Sequence, residues 1–249
     1  MSEMMTTELL VEAEWILQEY WTKGRYPIQT LRGGWSDFDV VAFHPHTKYS
    51  KYNGKSHLVI AEAKAFGTKG NVYVTTEKNK NITLKNIKDL WTLSPEKGDP
   101  YFRFLHRIKD MNGPLLELVQ NSVEAVTIQL VSNWILEKEI KESVEETLKE
   151  AVVNGIPLLK GKLVNCALET PLEVFWRIMK LEKENIQGRR YGNPILDLAR
   201  EFNRYLHPSY CPKKNFSKKK EFDDYTKYLF KTMFELENQS YENKDSINR

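Results

Sequence analysis

The sequence has little cysteine and no long apolar run, and both absences narrow the class of protein. The two cysteines, Cys166 and Cys211, have no CxxC spacing, which favours a reducing compartment over a disulfide framework. No apolar run approaches the roughly 20 residues that a membrane-spanning helix needs. The opening segment MSEMMTTELLVEAEW is acidic and lacks the basic start of a secretory signal. We therefore expect a soluble cytoplasmic protein with no membrane partner.

Motifs of several common enzyme classes are also missing. There is no P-loop, no G-x-G-x-x-G and no G-x-S-x-G, which argues against NTPases, dinucleotide-binding enzymes and the commonest serine hydrolases. Cys166 has no zinc-ligand spacing to a histidine. The formal net charge is only +3, so a surface that binds a polyanion has to come from a local cluster of basic residues.

Hydrophobic periodicity predicts an α/β region. The first helix is expected to stop at Gly24, and Gly33-Gly34 is expected to turn the chain. Residues 71–77 are left open between strand and loop. The expected elements are a helix over 6–23, strands over 26–32, 37–43 and 58–64, mostly helix over 82–120, a strand over 124–134, a helix over 137–155 and a strand within 156–168.

From Thr170 onward the sequence predicts helices and no further strand. The segment TPLE has the pattern of a capping box that begins a helix, and Asn193-Pro194 begins another. A third helix is expected over roughly 218–238 from its periodicity. We therefore expect a core over 1–168 and a helical C-terminal extension over 169–249 that packs on it.

Polar residues end two of the apolar strands. In an antiparallel pair, opposed residues have a constant sum of sequence numbers, so if Val41 faces Ile60, then Asp39 faces Glu62. This register keeps the apolar side chains together, and it puts Lys64 on the same face as the two acids. Carboxylates opposed at about 5 Å repel each other unless a cation lies between them. Mg²⁺ favours such a pair of carboxylates, completed by water and phosphate oxygens.

The segments SDFDVVAF and HLVIAEAKA together resemble the PD-(D/E)xK nuclease superfamily, whose fold is called restriction-endonuclease-like. The resemblance implies an α/β fold with an αβββαβ core and a mixed central sheet flanked by helices. It also implies hydrolysis of phosphodiesters, most often in DNA although some relatives act on RNA. Asp39 and Glu62 would hold Mg²⁺, with Mn²⁺ as a substitute, and Lys64 would position the attacking water. Many relatives pair as homodimers.

Many members of this superfamily add an acidic residue from the first helix. Glu14 shares a helical stripe with apolar residues and is the preferred candidate, with Glu12 and Glu19 as alternatives. Asp37 lies two residues before Asp39 and competes with it as a ligand.

Nucleic acid is the expected partner, and the basic residues Lys69, Lys78 and Lys80 are candidates for contact with its phosphates. Two rival interpretations remain at this point. One is a non-catalytic nucleic-acid-binding or assembly subunit with the same fold, and the other is a helical interaction protein without a sheet.

Overall fold

The computed structural model describes residues 6–30, 33–64, 72–74, 87–92, 102–132, 134–136, 138–184 and 193–205. The chain divides into two compact units, Met1–Pro171 and Leu172–Arg249. In chain order the helices and strands are α1 (Thr6–Leu17), β1 (Trp21–Thr30), β2 (Trp35–His44), β3 (His57–Lys64), β4 (Val72–Val74), α2 (Arg103–Lys109), β5 (Met111–Asn112), α3 (Pro114–Ser122), β6 (Ala125–Ser132), β7 (Trp134–Leu136), α4 (Lys138–Gly155), β8 (Leu163–Glu169), α5 (Pro171–Glu184) and α6 (Pro194–Tyr205).

A mixed six-stranded sheet organises the first unit, with the strand order β5-β1-β2-β3-β6-β8. Strand β1 pairs antiparallel with β2 and β5, and β2 pairs antiparallel with β3. Strands β3, β6 and β8 are parallel neighbours. Strands β4 and β7 form a separate parallel pair. The protein therefore belongs to the α/β class, and the all-helical interpretation is wrong.

The two faces of the sheet carry different helices. Alternate residues of β3 and β6, such as Ile60 and Ile128, join a large apolar cluster with α2, α3 and α4. The intervening residues face α1, where Trp15 contacts the ring of His57 and the side chain of Gln129. Strand β6 is buried along its whole length, as expected for a parallel strand covered on both faces. The ends of β2 and β3 thus lie between two layers of helix.

The first helix is shorter than predicted. It ends at Leu17, and the chain reverses through Glu19, whose φ is 67°. The N–H of Tyr20 donates to the carbonyl of Trp15 at 3.0 Å and the N–H of Glu19 donates to that of Ile16 at 3.0 Å, which is a Schellman motif. The Trp15 and Tyr20 rings pack at 4.9 Å across this turn. The expected stop at Gly24 is wrong, because local hydrogen bonding ends the helix earlier and Gly24 lies within β1.

Most other element predictions are confirmed within a few residues, but the strand predicted over 26–32 begins earlier, at Trp21. The open segment 71–77 contains β4, and the region 82–120 contains α2 and α3 with a boundary at Gly113-Pro114. The predicted strands over 124–134 and 156–168 correspond to β6 and β8, and helices begin at Pro171 and Pro194 as expected. The helix predicted over 218–238 lies outside the described residues. Across the ranges that the structure describes, no helix is long and apolar enough to cross a membrane.

Candidate active site

The predicted register of β2 and β3 is present. Val41 pairs with Ile60 and Phe43 pairs with Leu58, and the last pair of the ladder toward the open end is Val40 with Ala61. The predicted pair of Asp39 and Glu62 lies one step beyond that last pair. The two acids therefore follow the end of the ladder, where the strands stop exchanging backbone hydrogen bonds.

At Asp39 the backbone pairing of β2 is interrupted on both sides, toward β3 and toward β1. Its side-chain oxygen Oδ2 accepts the backbone N–H of Ala63 at 2.7 Å, in place of a ladder hydrogen bond. On the other side, β1 pairs with β2 at Gly24 and at Tyr26 but not at Arg25, whose φ is 48°. The Asp39 carboxylate thus lies beside the residue that follows Glu62. Asp39 is 8% exposed, so its carboxylate is largely removed from water.

Glu62 is buried and paired with an arginine. It is 2% exposed, and its Oε1 accepts a hydrogen bond from Arg107 Nη2 at 2.5 Å. The other terminal nitrogen of Arg107, Nη1, donates to the carbonyl of Asp37 at 2.9 Å and to the hydroxyl of Ser36 at 3.2 Å. Arg107, from α2, therefore joins the β2 strand before Asp39 to the carboxylate at the end of β3. A buried carboxylate needs such a cation to remain charged at low cost.

A second arginine lies near the acids from the side of β1. Arg25 donates to Glu8 of α1 through Nε at 3.1 Å and through Nη2 at 3.4 Å. The pKa of Arg25 is raised chiefly by its hydrogen bond to Glu8, and the charges of Asp37 and Asp39 contribute less. The carboxylates of the candidate site therefore lie in the field of cations from two different elements.

Glu14 is buried, as predicted, and it accepts a hydrogen bond from Gln129 of β6. Gln129 Nε2 lies 3.0 Å from Glu14 Oε2 and 2.8 Å from Glu169 Oε2, and Gln129 Oε1 accepts from the indole of Trp15 at 2.8 Å. Gln129 is in register with Ala61, whereas Glu62 is in register with Leu130. Since neighbouring residues of a strand alternate in direction, Glu14 approaches the face of the sheet opposite to the one that carries Glu62.

The two alternatives to Glu14 have different surroundings. Glu12 is half-buried and accepts a hydrogen bond from Thr22 at 3.2 Å. Glu19 is exposed at the end of α1 and forms an ion pair with Lys48 at 3.1 Å. Of the three helix acids, Glu14 is therefore the one that is buried in the protein, against Gln129 of β6.

The predicted basic residues are only partly described. Lys64 is the last residue of β3 and its backbone is in register with Ser132, but its side chain lies outside what the structure describes. Lys69, Lys78 and Lys80 lie outside the described residues altogether. Their roles therefore remain predictions from the sequence.

Sequence reasoning missed Arg107 and Gln129, for different reasons. Gln129 left a signal, because it is a single amide within the buried strand AVTIQLVS. Arg107 left none, since it is one of several basic residues in α2 and lies 45 positions after its partner Glu62. Only the packing of α2 against the sheet brings the two residues together.

Carboxylate oxygens are ligands that hard divalent cations prefer. Asp39 and Glu62 supply two buried carboxylates on adjacent strands, and Mg²⁺ takes one or two carboxylates with water and substrate oxygens completing the octahedron. Within the described ranges no cluster of three or more His, Cys, Asp or Glu is arranged to hold a metal ion. Asp39 and Glu62 alone are too few ligands for a closed metal site, so a metal ion held by them would need further oxygen ligands.

Comparison of the chain with family models, with curated proteins and with solved structures finds no match.

Proposed function

We propose that this protein is a phosphodiester hydrolase of the metal-dependent nuclease class, and more particularly a Mg²⁺-dependent endonuclease acting on DNA. The observation that carries the proposal is the hydrogen bond from the Ala63 N–H to Asp39, which holds one buried carboxylate beside the residue after Glu62. Two carboxylates at the end of an antiparallel pair, followed by a lysine two residues on, are the pattern of the PD-(D/E)xK superfamily that the sequence resembles.

Each residue has a distinct role in this proposal. Asp39 and Glu62 would hold the metal, which when bound lowers the pKa of a coordinated water and polarises the phosphate. Lys64 would donate to the attacking water or to a phosphate oxygen, where its positive charge offsets the negative charge that develops. Glu14 would act from the α1 side as a positioning residue, by holding Gln129 of β6 beside β3.

The substrate is proposed from the resemblance rather than from a bound ligand. DNA is the first choice and RNA the second, with Mn²⁺ able to replace Mg²⁺. A homodimer would allow two active sites to cut two strands of a duplex.

A non-catalytic nucleic-acid-binding or assembly subunit is the second candidate, and one observation favours it. The ion pair between Arg107 and Glu62 already neutralises the carboxylate that a metal would need. If this pair is permanent, the site binds no metal and the fold serves only for binding. Nucleic-acid binding that is unaffected by a chelator, with no cleavage of any substrate, would favour this candidate.

Replacement of Glu62 by glutamine tests the nuclease proposal. We expect wild-type protein to cut at least one of a panel of labelled duplex, single-stranded and branched DNA or RNA substrates in Mg²⁺ or Mn²⁺. Glu62→Gln and Lys64→Met should each lower that rate by about 100-fold or more, because each removes a charge that acts on the reacting phosphate. Substrate cleavage is followed by gel electrophoresis, and folding is checked by circular dichroism.

The matched control for this test is Glu150→Gln, the same chemical change at an exposed position of α4. It should cut at the wild-type rate. Cleavage that Glu62→Gln retains at the wild-type rate, in a preparation free of contaminating nuclease, would remove the proposal.

A further inference from the structure

Arg107 uses its two terminal nitrogens for two different purposes. Nη1 is anchored on β2 by the Asp37 carbonyl at 2.9 Å and the Ser36 hydroxyl at 3.2 Å. Nη2 contacts the carboxylate of Glu62 at 2.5 Å. Because the contacts are separate, the bond to Glu62 can break while the guanidinium stays attached to β2. The arginine is thus held in place by one strand while it pairs with an acid on the next.

The environment of this ion pair makes it a competitor for a metal. The side chain of Glu62 is 2% exposed and that of Arg107 is 25% exposed, so the carboxylate is buried and the guanidinium is reached by solvent from one side. A buried carboxylate is stabilised by whichever cation lies against it, and two cations that need the same oxygen oppose each other. The guanidinium on Glu62 Oε1 and a divalent ion on the same carboxylate would repel each other, so the binding of one weakens the binding of the other.

We propose that Arg107 is a built-in counter-ion that holds Glu62 in the metal-free protein and competes with the divalent cation, so that Arg107 sets the metal affinity of the site. This inference rests on the proposed nuclease function, since it presupposes that Asp39 and Glu62 bind a metal. It makes cation binding weak in the absence of substrate, because substrate phosphate oxygens complete the coordination and so help the metal to compete with the arginine. The ion pair would then protect the site from loading without substrate.

The test measures the binding of Mn²⁺ to metal-free full-length protein by isothermal titration calorimetry, in the absence of nucleic acid. Arg107→Met, which keeps the length and apolar part of the side chain, should bind Mn²⁺ with a Kd at least about tenfold lower than wild type, because the competing charge is gone. Lys109→Met removes one positive charge from an exposed position of the same helix and should leave the Kd unchanged. The rise in melting temperature caused by MnCl₂ should likewise be larger in Arg107→Met.

An equal or higher Kd in Arg107→Met would overturn the inference, since it would mean that the arginine does not compete or that it orients Glu62 for the metal. Arg107→Lys covers the case in which Arg107→Met does not fold. Lysine keeps the charge but lacks the two-nitrogen fork, so it should bind Mn²⁺ more tightly than wild type and less tightly than Arg107→Met. An unchanged Kd in a folded Arg107→Lys protein would equally count against the inference.

Two further variants separate this inference from the proposed function. Asp39→Asn and Glu62→Gln should abolish Mn²⁺ binding in both the wild-type and the Arg107→Met backgrounds. If they do so but the arginine variants do not tighten binding, the metal site stands and only the role of Arg107 fails. If Mn²⁺ binds equally with and without the two acids, the proposed metal-dependent function fails together with the inference.

Discussion

His57 lies at the start of β3 with no exposed surface and with a hydroxyl against each ring nitrogen. Tyr20 Oη lies 2.6 Å from Nδ1, and Thr127 Oγ1 lies 2.9 Å from Nε2. Burial lowers the pKa of His57 from 6.5 to about 3, and the nearby His44 contributes less. Because the folded protein keeps this ring neutral, protonation of His57 is available to the unfolded chain at pH values where the folded state excludes it.

We therefore expect His57 to destabilise the protein in acid. The contribution of the neutral His57 ring to the free energy of unfolding is fully present above pH 6.5. It is lost as the pH falls toward 3, because only the unfolded chain binds the proton across that interval. At about 1.4 kcal/mol per pH unit, the unfolding free energy should fall by roughly 3 kcal/mol between pH 6.5 and pH 4 from this residue alone. Urea unfolding of wild type and of His57→Gln, which keeps polar contacts but does not titrate, measures the difference.

The comparison needs a control because carboxylates also titrate in acid. His46→Gln, at an exposed loop position, should keep the full pH dependence of the wild type. His57→Gln should have a shallower dependence than both. Parallel curves for wild type and His57→Gln would show that the ring takes up its proton in the folded state, contrary to this account.

At the end of α1, a residue in an unfavoured backbone conformation is held by two good hydrogen bonds. Glu19 occupies the left-handed position of the Schellman motif at φ 67°, where glycine is the usual residue because it has no Cβ. The motif forms nonetheless, since Trp15 and Tyr20 pack across it and both backbone bonds are 3.0 Å long. The exposed ion pair from Glu19 to Lys48 adds little stability.

Glu19→Gly should therefore stabilise the protein. Relief of the left-handed strain outweighs the greater chain entropy of glycine when unfolded, and we expect a gain of roughly 0.5–1 kcal/mol in the free energy of unfolding. Glu150→Gly places the same substitution inside helix α4 and should instead cost about 1 kcal/mol. Chemical denaturation of the two variants beside wild type measures both signs. A loss of stability in Glu19→Gly similar to that in Glu150→Gly would contradict the role assigned to this turn.

The strands and their register could be predicted from the sequence, whereas the end of α1 could not. Strands β2 and β3 are both apolar runs that contain an acid, and the pairing of Val41 with Ile60 keeps their apolar side chains together and brings the two acids to the same end. The apolar spacing of α1 continues past Leu17 into the sequence of β1, so periodicity alone has no reason to stop there. The stop comes from backbone hydrogen bonds and a ring contact that periodicity does not record.

Only the part of the candidate site that lies on the neighbouring strands β2 and β3 could be predicted from the sequence. Asp39 and Glu62 follow from the strand register, but the interruption opposite Arg25 and the bond from Asp39 to Ala63 arise where the ladder ends. Arg107 reaches Glu62 because α2 packs on the sheet through residues such as Leu105. Such long-range pairs depend on how helices dock, which the spacing of residues along the chain does not determine.

The apolar cluster that supports the candidate site lies within one of the two units. Its buried members run from Ile28 to Leu168, all inside Met1–Pro171. The same unit contains Asp39, Glu62 and Arg107 together with the six-stranded sheet. A segment of this length can bury enough apolar surface to fold as an independent domain.

Residues 1–171 expressed alone should therefore fold and unfold in a single cooperative transition, and should bind Mn²⁺ with the Kd of the full chain. A shorter piece ending at residue 162 provides the contrast, because it lacks β8 and with it Cys166 and Leu168, both buried in the cluster. Loss of β8 also leaves β6 paired on one side only, with β3, so we expect this piece to lack a cooperative transition and to bind a hydrophobic dye. Dye binding and broad unfolding in the 1–171 piece as well would mean that the second unit is required for the first to fold. The apolar cluster alone would then be too weak to hold the sheet, and with it Asp39 and Glu62, in place.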